Sequence, residues 1–353
     1  MRAGRRCGSV PPPETRQARG TDRRRLLTAA LAGAVFAVVV IAIASHGDPN
    51  KMIFGDGRLY RAVAQDLRAR DPSVQAFIRT RGTSLRYGRI GFPALLWATS
   101  LGRATAMRWT QPALLVIAAA AVAAAASELI PGSVLFALAP FAAIGLTVSL
   151  TGGFAEPVAV ALSMWAVVAF ERERPGLAAA ALTLAILTRE NAVAVLVGLC
   201  VWALLRSKRR EAMIMASALV PVAAWYVFVA ARFGHLPFLD PWLRSISNSV
   251  GFPVVALWEP LTKHGFGSAA LIVVHVALAT HAFIRWRTSD VAAVAAACGL
   301  TILTLGVDVW RFIGDATRVT SLLEVFVVIE VMRRLTGRRS DPIEDAASIR
   351  TPA

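Results

Sequence analysis

The sequence predicts an all-α fold, a polytopic transmembrane bundle of about ten spans with a large first extracytoplasmic loop carrying short amphipathic helices. Three observations predict it. Mean hydropathy is +0.58, with 56% of residues hydrophobic and 17% charged, whereas about a quarter of the residues in a soluble domain are charged. The apolar residues come in continuous blocks near the roughly 20 residues needed to cross hydrocarbon, not in the alternating pattern of a membrane barrel. Short basic clusters sit beside those blocks, as the positive-inside rule requires.

The formal net charge of +16 suggests nucleic acid at first sight. Its distribution argues for a membrane partner and no nucleic acid. Arg2, Arg5, Arg6, Arg16, Arg19 and Arg23–Arg25 precede the first apolar run. Arg206, Lys208, Arg209 and Arg210 follow one run, Arg285 and Arg287 another, and Arg333, Arg334, Arg338 and Arg339 the last. Cys7, Cys200 and Cys298 show neither metal-ligand spacing nor a disulfide framework.

Taken in order, residues 1–22 are rich in Arg, Pro and Gly and read as a disordered basic cytoplasmic tail. The membrane domain covers 23–336, and 337–353 form a second disordered tail. Run 26–45 is too long for the apolar core of a signal peptide and is read as an uncleaved span. Residues 46–91 form the first extracytoplasmic loop. Within it, Leu59, Val63 and Leu67 share one helical face, so 58–70 reads as an amphipathic helix on the membrane surface. Residues 92–104 are short for a span and read as re-entrant. Further runs are expected at 111–127, 132–150, 153–170, 175–188, 191–206, 212–232, 268–286, 291–308 and 318–334. The basic clusters orient them in a plasma or inner membrane, with both termini cytoplasmic. The opposite face then holds 46–91, 151–157, 189–191, 233–267 and 309–318.

On that face an unusual set of residues converges: Asp48, Asp56, Tyr60, Arg86, Arg89, Glu156, Arg189, Glu190, Arg311, Asp315 and Arg318. Charges at membrane depth are costly and mark function by default. A carboxylate within hydrogen-bond reach deprotonates a hydroxyl, and an Arg fork binds phosphate oxygens bidentately. Asp56 stands out because Gly55 and Gly57 flank it and permit close approach of a ligand. The bland alternative is an acid that starts the following helix. His275 and Glu324 lie inside apolar runs and read as packing residues or as minor participants. Loop 233–267 holds His235, Asp240, Trp242, Trp258, Glu259 and His264 and reads as a lid or acceptor-binding loop. Walker A, Rossmann, HExxH and GxSxG patterns are absent from the sequence.

These residues resemble the C-type membrane glycosyltransferases, the GT-C superfamily. The likeness rests on Phe54-Gly55-Asp56-Gly57-Arg58-Leu59-Tyr60 in the first loop and on Arg86-Tyr87-Gly88-Arg89-Ile90-Gly91-Phe92-Pro93 before the next run. It rests also on TGGFAEPV at 151–158, on Leu187-Thr188-Arg189-Glu190 and on Asp315-Ala316-Thr317-Arg318. The resemblance implies transfer of a sugar, with mannose as a candidate, from a polyprenyl-phosphate donor to an envelope lipid, glycan or protein acceptor. Asp56 would be the general base, with Asp48 and Glu156 as further catalytic acids. Tyr60, Arg86, Tyr87, Arg89, Arg189, Glu190, Asp315 and Arg318 would bind substrate, and a divalent cation (Mg or Mn) is a candidate cofactor. Many relatives carry Asp-x-Asp or Glu-x-Asp in the first loop, whereas here position 58 is Arg and position 54 is Phe. Two other readings stand beside this one: a transporter or flippase of lipid-linked sugars, and a non-catalytic membrane subunit of the same fold.

Overall fold

An uninterrupted apolar run with no proline forms the first helix, α1 (Arg23–Ser45), and its contacts set the pattern for the bundle. The structure is a computed structural model and describes residues 23–48, 55–79, 82–240, 265–304, 309–310 and 313–337. Arg311, residues 1–22 and 338–353 of the two tails and residues 241–264 of the 233–267 loop lie outside the described residues. Every regular element among the described residues is helical.

One face of α1 carries Ala29, Gly33, Ala37, Ile41 and Ser45, four residues apart and all buried. That small-residue stripe lies along α6 (Ala104–Leu129). A Cβ on Gly33 would sit 2.6 Å from the Ala119 carbonyl oxygen, so glycine is what lets the two backbones meet. The helices run antiparallel, because Arg25 at the start of α1 donates to the Ile130 carbonyl at the end of α6 (2.7 Å). The outer face of α1 shows Leu27 and Leu31 at 70% and 65% exposure. With Ile117, Val220 and Ile284 also exposed, the bundle has an apolar exterior, the mark of a surface made to meet something other than water.

Three short helices fold the first loop: α2 (Asp56–Gln65), α3 (Pro72–Ile78) and α4 (Thr83–Gly88). Leu59 and Val63 of α2 are buried with Ile78, Tyr87, Ile90 and Val229 in a small satellite core. The apolar face therefore packs on protein. The expected helix over 58–70 ends at Gln65, because the Asp66 carboxylate accepts the backbone N–H groups of Arg70 and Asp71 (2.9 Å each) and turns the chain.

Helix α5 (Gly91–Ser100) is about 15 Å long at 1.5 Å per residue. Leu101, in the left-handed region at φ 52°, ends it. In α6, Pro112 supplies no N–H to the Arg108 carbonyl one turn back, and Arg61 Nη2 approaches that oxygen instead (3.5 Å). Run 132–150 is broken. A 3-10 segment, Val134–Ala142, and α7 (Ile144–Gly152) meet at 79° across extended Ala143. The Gly145 N–H at the start of α7 donates to Glu324 (3.2 Å), and Gly145 lies so close to the Thr317 carbonyl that a Cβ would overlap it.

Next come α8 (Glu156–Glu171), α9 (Pro175–Thr188), a 3-10 turn (Glu190–Ala192), α10 (Val193–Leu205), α11 (Arg209–Ala216) and α12 (Leu219–Phe233). After the undescribed segment follow α13 (Gly265–Arg285), α14 (Asp290–Leu300), a 3-10 turn (Thr301–Thr304) and α15 (Ile313–Leu335). Among the described residues, three helical stretches are long and apolar enough to cross a membrane: Arg23–Ser45, Ala104–Leu129 and Arg209–Phe233, the last formed by α11 and α12. The bent pair makes a fourth if it counts as one span.

The bundle has two polar ends. One is basic, with Arg206 after α10, Arg285 in the last turn of α13 and Arg333 and Arg334 in the last turn of α15; there Arg172 pairs with Glu128 (2.6 Å), and Arg333 pairs with Glu171 (2.7 Å) and Asp290 (3.3 Å). The other gathers the starts of α2, α8 and α15 and the end of α9 around Asp56. Helix α15 reaches both, with Arg318 at one end and Arg333 about 22 Å away at the other.

Candidate functional site

The first loop brings Asp56 to the bundle because Gln111 of α6 holds both neighbouring turns. Its amide donates to the carbonyls of Gly57 (3.2 Å) and Gly153 (2.7 Å), and its side-chain oxygen accepts Arg61 Nε (2.6 Å). Gln111 is fully buried, so these bonds face no competition from solvent. The start of α2 and the turn before Glu156 are thus fixed to one point on α6.

Asp56 Oδ2 receives three guanidiniums. Arg86 Nη1 lies at 2.9 Å, Arg318 Nη2 at 3.2 Å and Arg89 Nη1 at 3.9 Å. Glu156, almost fully buried, accepts Arg318 Nε (3.1 Å) and Nη2 (2.9 Å) through Oε1, and Arg189 Nη2 stands 3.2 Å from the same atom. Arg318 also reaches Asp315 (3.3 Å), and its guanidinium stacks 3.5 Å above the Phe154 ring. Glu190 takes Arg89 in a two-bond fork, with Nε at 2.7 Å and Nη2 on the second oxygen.

Close backbone contact sets that last pair. A Cβ on Gly91 would lie 3.0 Å from the Leu187 carbonyl carbon, so the chain just after Arg89 lies against the chain just before Glu190. Four carboxylates and four guanidiniums, from five stretches of the chain, therefore meet at one end of the bundle. Arg86, Arg89, Arg189 and Arg318 are each less than 10% exposed.

The electrostatics follow from this crowding. Burial alone would raise the Asp56 carboxyl, but Arg86, Arg318, Arg89 and Arg189 outweigh it and hold the group well below the ordinary carboxylate range. Glu190 is 41% exposed at its side chain. The cost of its partial burial is overcome by Arg89 and Arg189, which bring it to about 2.

Tyr60 belongs to the same neighbourhood, within electrostatic reach of Arg86, Arg89 and Arg318. Its ring is fully buried edge-on against Phe92, with centroids 5.5 Å apart, and its hydroxyl has no hydrogen-bond partner. Two expected site residues do not join the cluster. Asp48 lies in the open beside Arg108 (3.3 Å). Tyr87 turns its hydroxyl to Asp66 (2.9 Å) and packs against Phe233, so it builds the loop and has no seat at the carboxylates. Gln111, Arg61 and Asp66 were not singled out from the sequence. No motif marks them, and only the order of helices makes them neighbours.

A divalent cation does not fit these residues. The carboxylates of Asp56, Glu156 and Glu190 face guanidiniums, and no group of three or more His, Cys, Asp or Glu suited to a metal occurs among the described residues. Elsewhere, His275 Nε2 lies 3.0 Å from Glu324 and 2.7 Å from the Thr320 hydroxyl, a buried packing network in the bundle. Of the residues named in the 233–267 loop, His235 and Asp240 are described, and His235 Nδ1 lies 3.4 Å from the Ser84 hydroxyl. Asp240 closes the same contact. It accepts the Ser84 hydroxyl (2.5 Å) and N–H (3.2 Å), which ties the loop to α4. Compared with known protein families, curated proteins and solved structures, the chain matches none.

Proposed function

We propose that the chain is an integral membrane glycosyltransferase that moves a sugar, with mannose the first candidate, from a polyprenyl-phosphate donor to an envelope lipid, glycan or protein acceptor. The observation that carries the reading is Asp56: a carboxylate at the start of a loop helix, ringed by Arg86, Arg89 and Arg318 at one polar end of an apolar-coated bundle. The acceptor hydroxyl attacks the anomeric carbon, its proton passes to Asp56, and the bond from that carbon to the phosphate oxygen breaks. Polyprenyl phosphate departs with the electron pair, stabilised by Arg86 and Arg318. Direct displacement inverts the anomeric centre.

Asp56 paired with three guanidiniums is a weak base. A donor phosphate competes for the same N–H groups. Once it takes Arg86 or Arg318, the carboxylate loses part of its stabilisation and becomes more basic. Donor binding and base activation are then one event.

The arrangement of helix ends supports a ten-span topology. Helix α5 returns to the Asp56 side, while α1, α6, the bent pair, α8, α9, α10, α11 with α12, α13, α14 and α15 cross between the two ends. Parallel pairing of His275 with Glu324 and His281 with Glu330 supports α13 and α15 running in the same direction. The basic end would face the cytoplasm and hold both termini.

A second reading, a transporter of lipid-linked sugars, draws on the break at Ala143 and the Glu324 contact to α7, since broken helices line transporter sites. The deciding experiment is sugar transfer in membranes from an expressing strain, using a panel of labelled polyprenyl-phosphate sugars. Label transferred by the wild type and not by Asp56→Asn supports the transferase. Equal label from both, at equal expression, removes Asp56 as the base. Donor carried across vesicles without transfer favours the transporter.

A further inference from the structure

The ion pairs of the cluster leave specific atoms unspent. Tyr60 Oη, Glu156 Oε2, and Arg189 Nε and Nη1 are buried without a hydrogen-bond partner. Their residues are 0%, 1% and 3% exposed. Each such group costs more than a made hydrogen bond gains. Glu156 and Arg189 pair with each other, and Tyr60 interacts electrostatically with Arg318, which holds Glu156, so the unpaired atoms belong to one cluster and signal a missing partner.

The chemistry of the set defines that partner. Arg189 can only donate, and Glu156 Oε2 can only accept while ionised. Both belong to one ion pair, with Arg189 Nη2 3.2 Å from Glu156 Oε1. A group that serves both must accept from the guanidinium and donate to the carboxylate. An ionised phosphate oxygen accepts only and would leave Glu156 facing another anion. An alcohol hydroxyl does both. The guanidiniums nearest Asp56 suit phosphate, whereas the Glu156–Arg189 pair suits a polyol.

We propose that Glu156, Arg189 and Tyr60 form a carbohydrate-hydroxyl subsite beside the phosphate-binding guanidiniums, and that it selects the transferred sugar; this rests on the transferase reading above. Arg318 links the two parts, because its Nη2 contacts Asp56 (3.2 Å) and Glu156 (2.9 Å) together. The subsite therefore lies next to the base, where the sugar ring of a bound donor would sit.

The test is binding, with the full chain purified in detergent. The probes are sugar-free undecaprenyl phosphate, its mannosyl, glucosyl and galactosyl forms, and monodeoxy analogues of the tightest one. Wild type is expected to prefer one epimer and to lose about ten- to hundred-fold in affinity when one particular hydroxyl is removed, the range for a hydrogen bond to a charged group. Tyr60→Phe keeps the ring and disturbs no ion pair. It is expected to weaken the preferred sugar lipid about tenfold and to leave the sugar-free lipid unchanged. In Glu156→Gln the critical deoxy analogue should lose nothing further. Equal losses for sugar-free and sugar-bearing lipids in both variants would overturn the proposal. So would a wild type indifferent to every hydroxyl, which would mean that ordered water completes the set. A wild type that binds the sugar-free lipid but shows no sugar preference defeats the subsite alone. One that binds no lipid phosphate at all defeats the transferase reading with it.

Discussion

Arg318 Nη2 lies 3.2 Å from the Asp56 carboxylate, although 262 residues separate them in the chain. The same nitrogen also holds Glu156, so this guanidinium closes the bundle end. Removing it leaves Asp56 with Arg86 and Arg89, and Glu156 with Arg189, and breaks the link between the two buried carboxylates. Arg318→Ala is expected to cost about 3–5 kcal/mol, the usual penalty for breaking a buried ion pair. Thermal unfolding in detergent checks this. An unchanged midpoint would mean that water replaces the guanidinium.

On the proposed transferase reading, Asp56→Asn should separate chemistry from binding. Transfer should fall about 100- to 10,000-fold, the range for losing a general base. Affinity for sugar-free polyprenyl phosphate should rise several-fold, because the carboxylate no longer competes for Arg86 and Arg318. Titration of purified protein with the lipid phosphate reads this directly. Weaker binding would refute the competition.

Acid should loosen the Arg89–Glu190 fork in a defined window. The folded value of Glu190 is lowered from 4.5 to about 2, so its contribution is fully present above the unfolded value. It is lost as pH falls toward the folded one. The difference in unfolding midpoint between wild type and Glu190→Gln should be constant at neutral pH and shrink as pH drops below 4.5. A difference that persists unchanged at pH 3 or grows toward acid would contradict the assignment.

Gly33→Leu should separate α1 from α6. The first added carbon already meets the Ala119 carbonyl oxygen at 2.6 Å and the Ala123 side chain at 2.7 Å. Overpacking of this kind costs about 1–3 kcal/mol. A lowered melting midpoint with wild-type donor affinity in the folded fraction would localise the damage to the seam.

The two ends of the bundle can be assigned by labelling. In a background without native cysteines, Ser73→Cys and Arg287→Cys should react with a membrane-impermeant thiol reagent from opposite sides. Reaction of Ser73→Cys from outside and of Arg287→Cys only after permeabilisation is the expected pattern. The reverse would invert the orientation.

Much of the helical layout was legible because apolar runs report burial or lipid directly. Runs 175–188 and 212–232 return as α9 and as α11 with α12 almost residue for residue. The break at Ala143 was not legible. Hydropathy is blind to backbone direction, and the carboxylate that satisfies α7 comes from Glu324, far along the chain. The cluster was half legible. Charges at the ends of apolar runs announced Glu156, Arg189 and Arg318, and the flanking glycines announced Asp56. Which acid faced which Arg depended on the order in which helices pack. Asp48 and Tyr87 looked equivalent to their neighbours in sequence, yet Arg108 and Asp66 claimed them. Gln111 is an ordinary polar residue until Gly57 and Gly153 fold onto it.

Helix α15 is pinned at both of its ends, by Asp56 and Glu156 at Arg318 and by Glu171 and Asp290 at Arg333. A helix is stiff along its axis, so it behaves as a connecting rod. Any slide that draws Arg318 toward an incoming ligand must also pull Arg333 against its own acids. On the proposed reading, whatever loosens Arg333 would, by reciprocity, change the free energy of donor capture at the far end. The two faces of the bundle are thus mechanically linked by one piece of backbone.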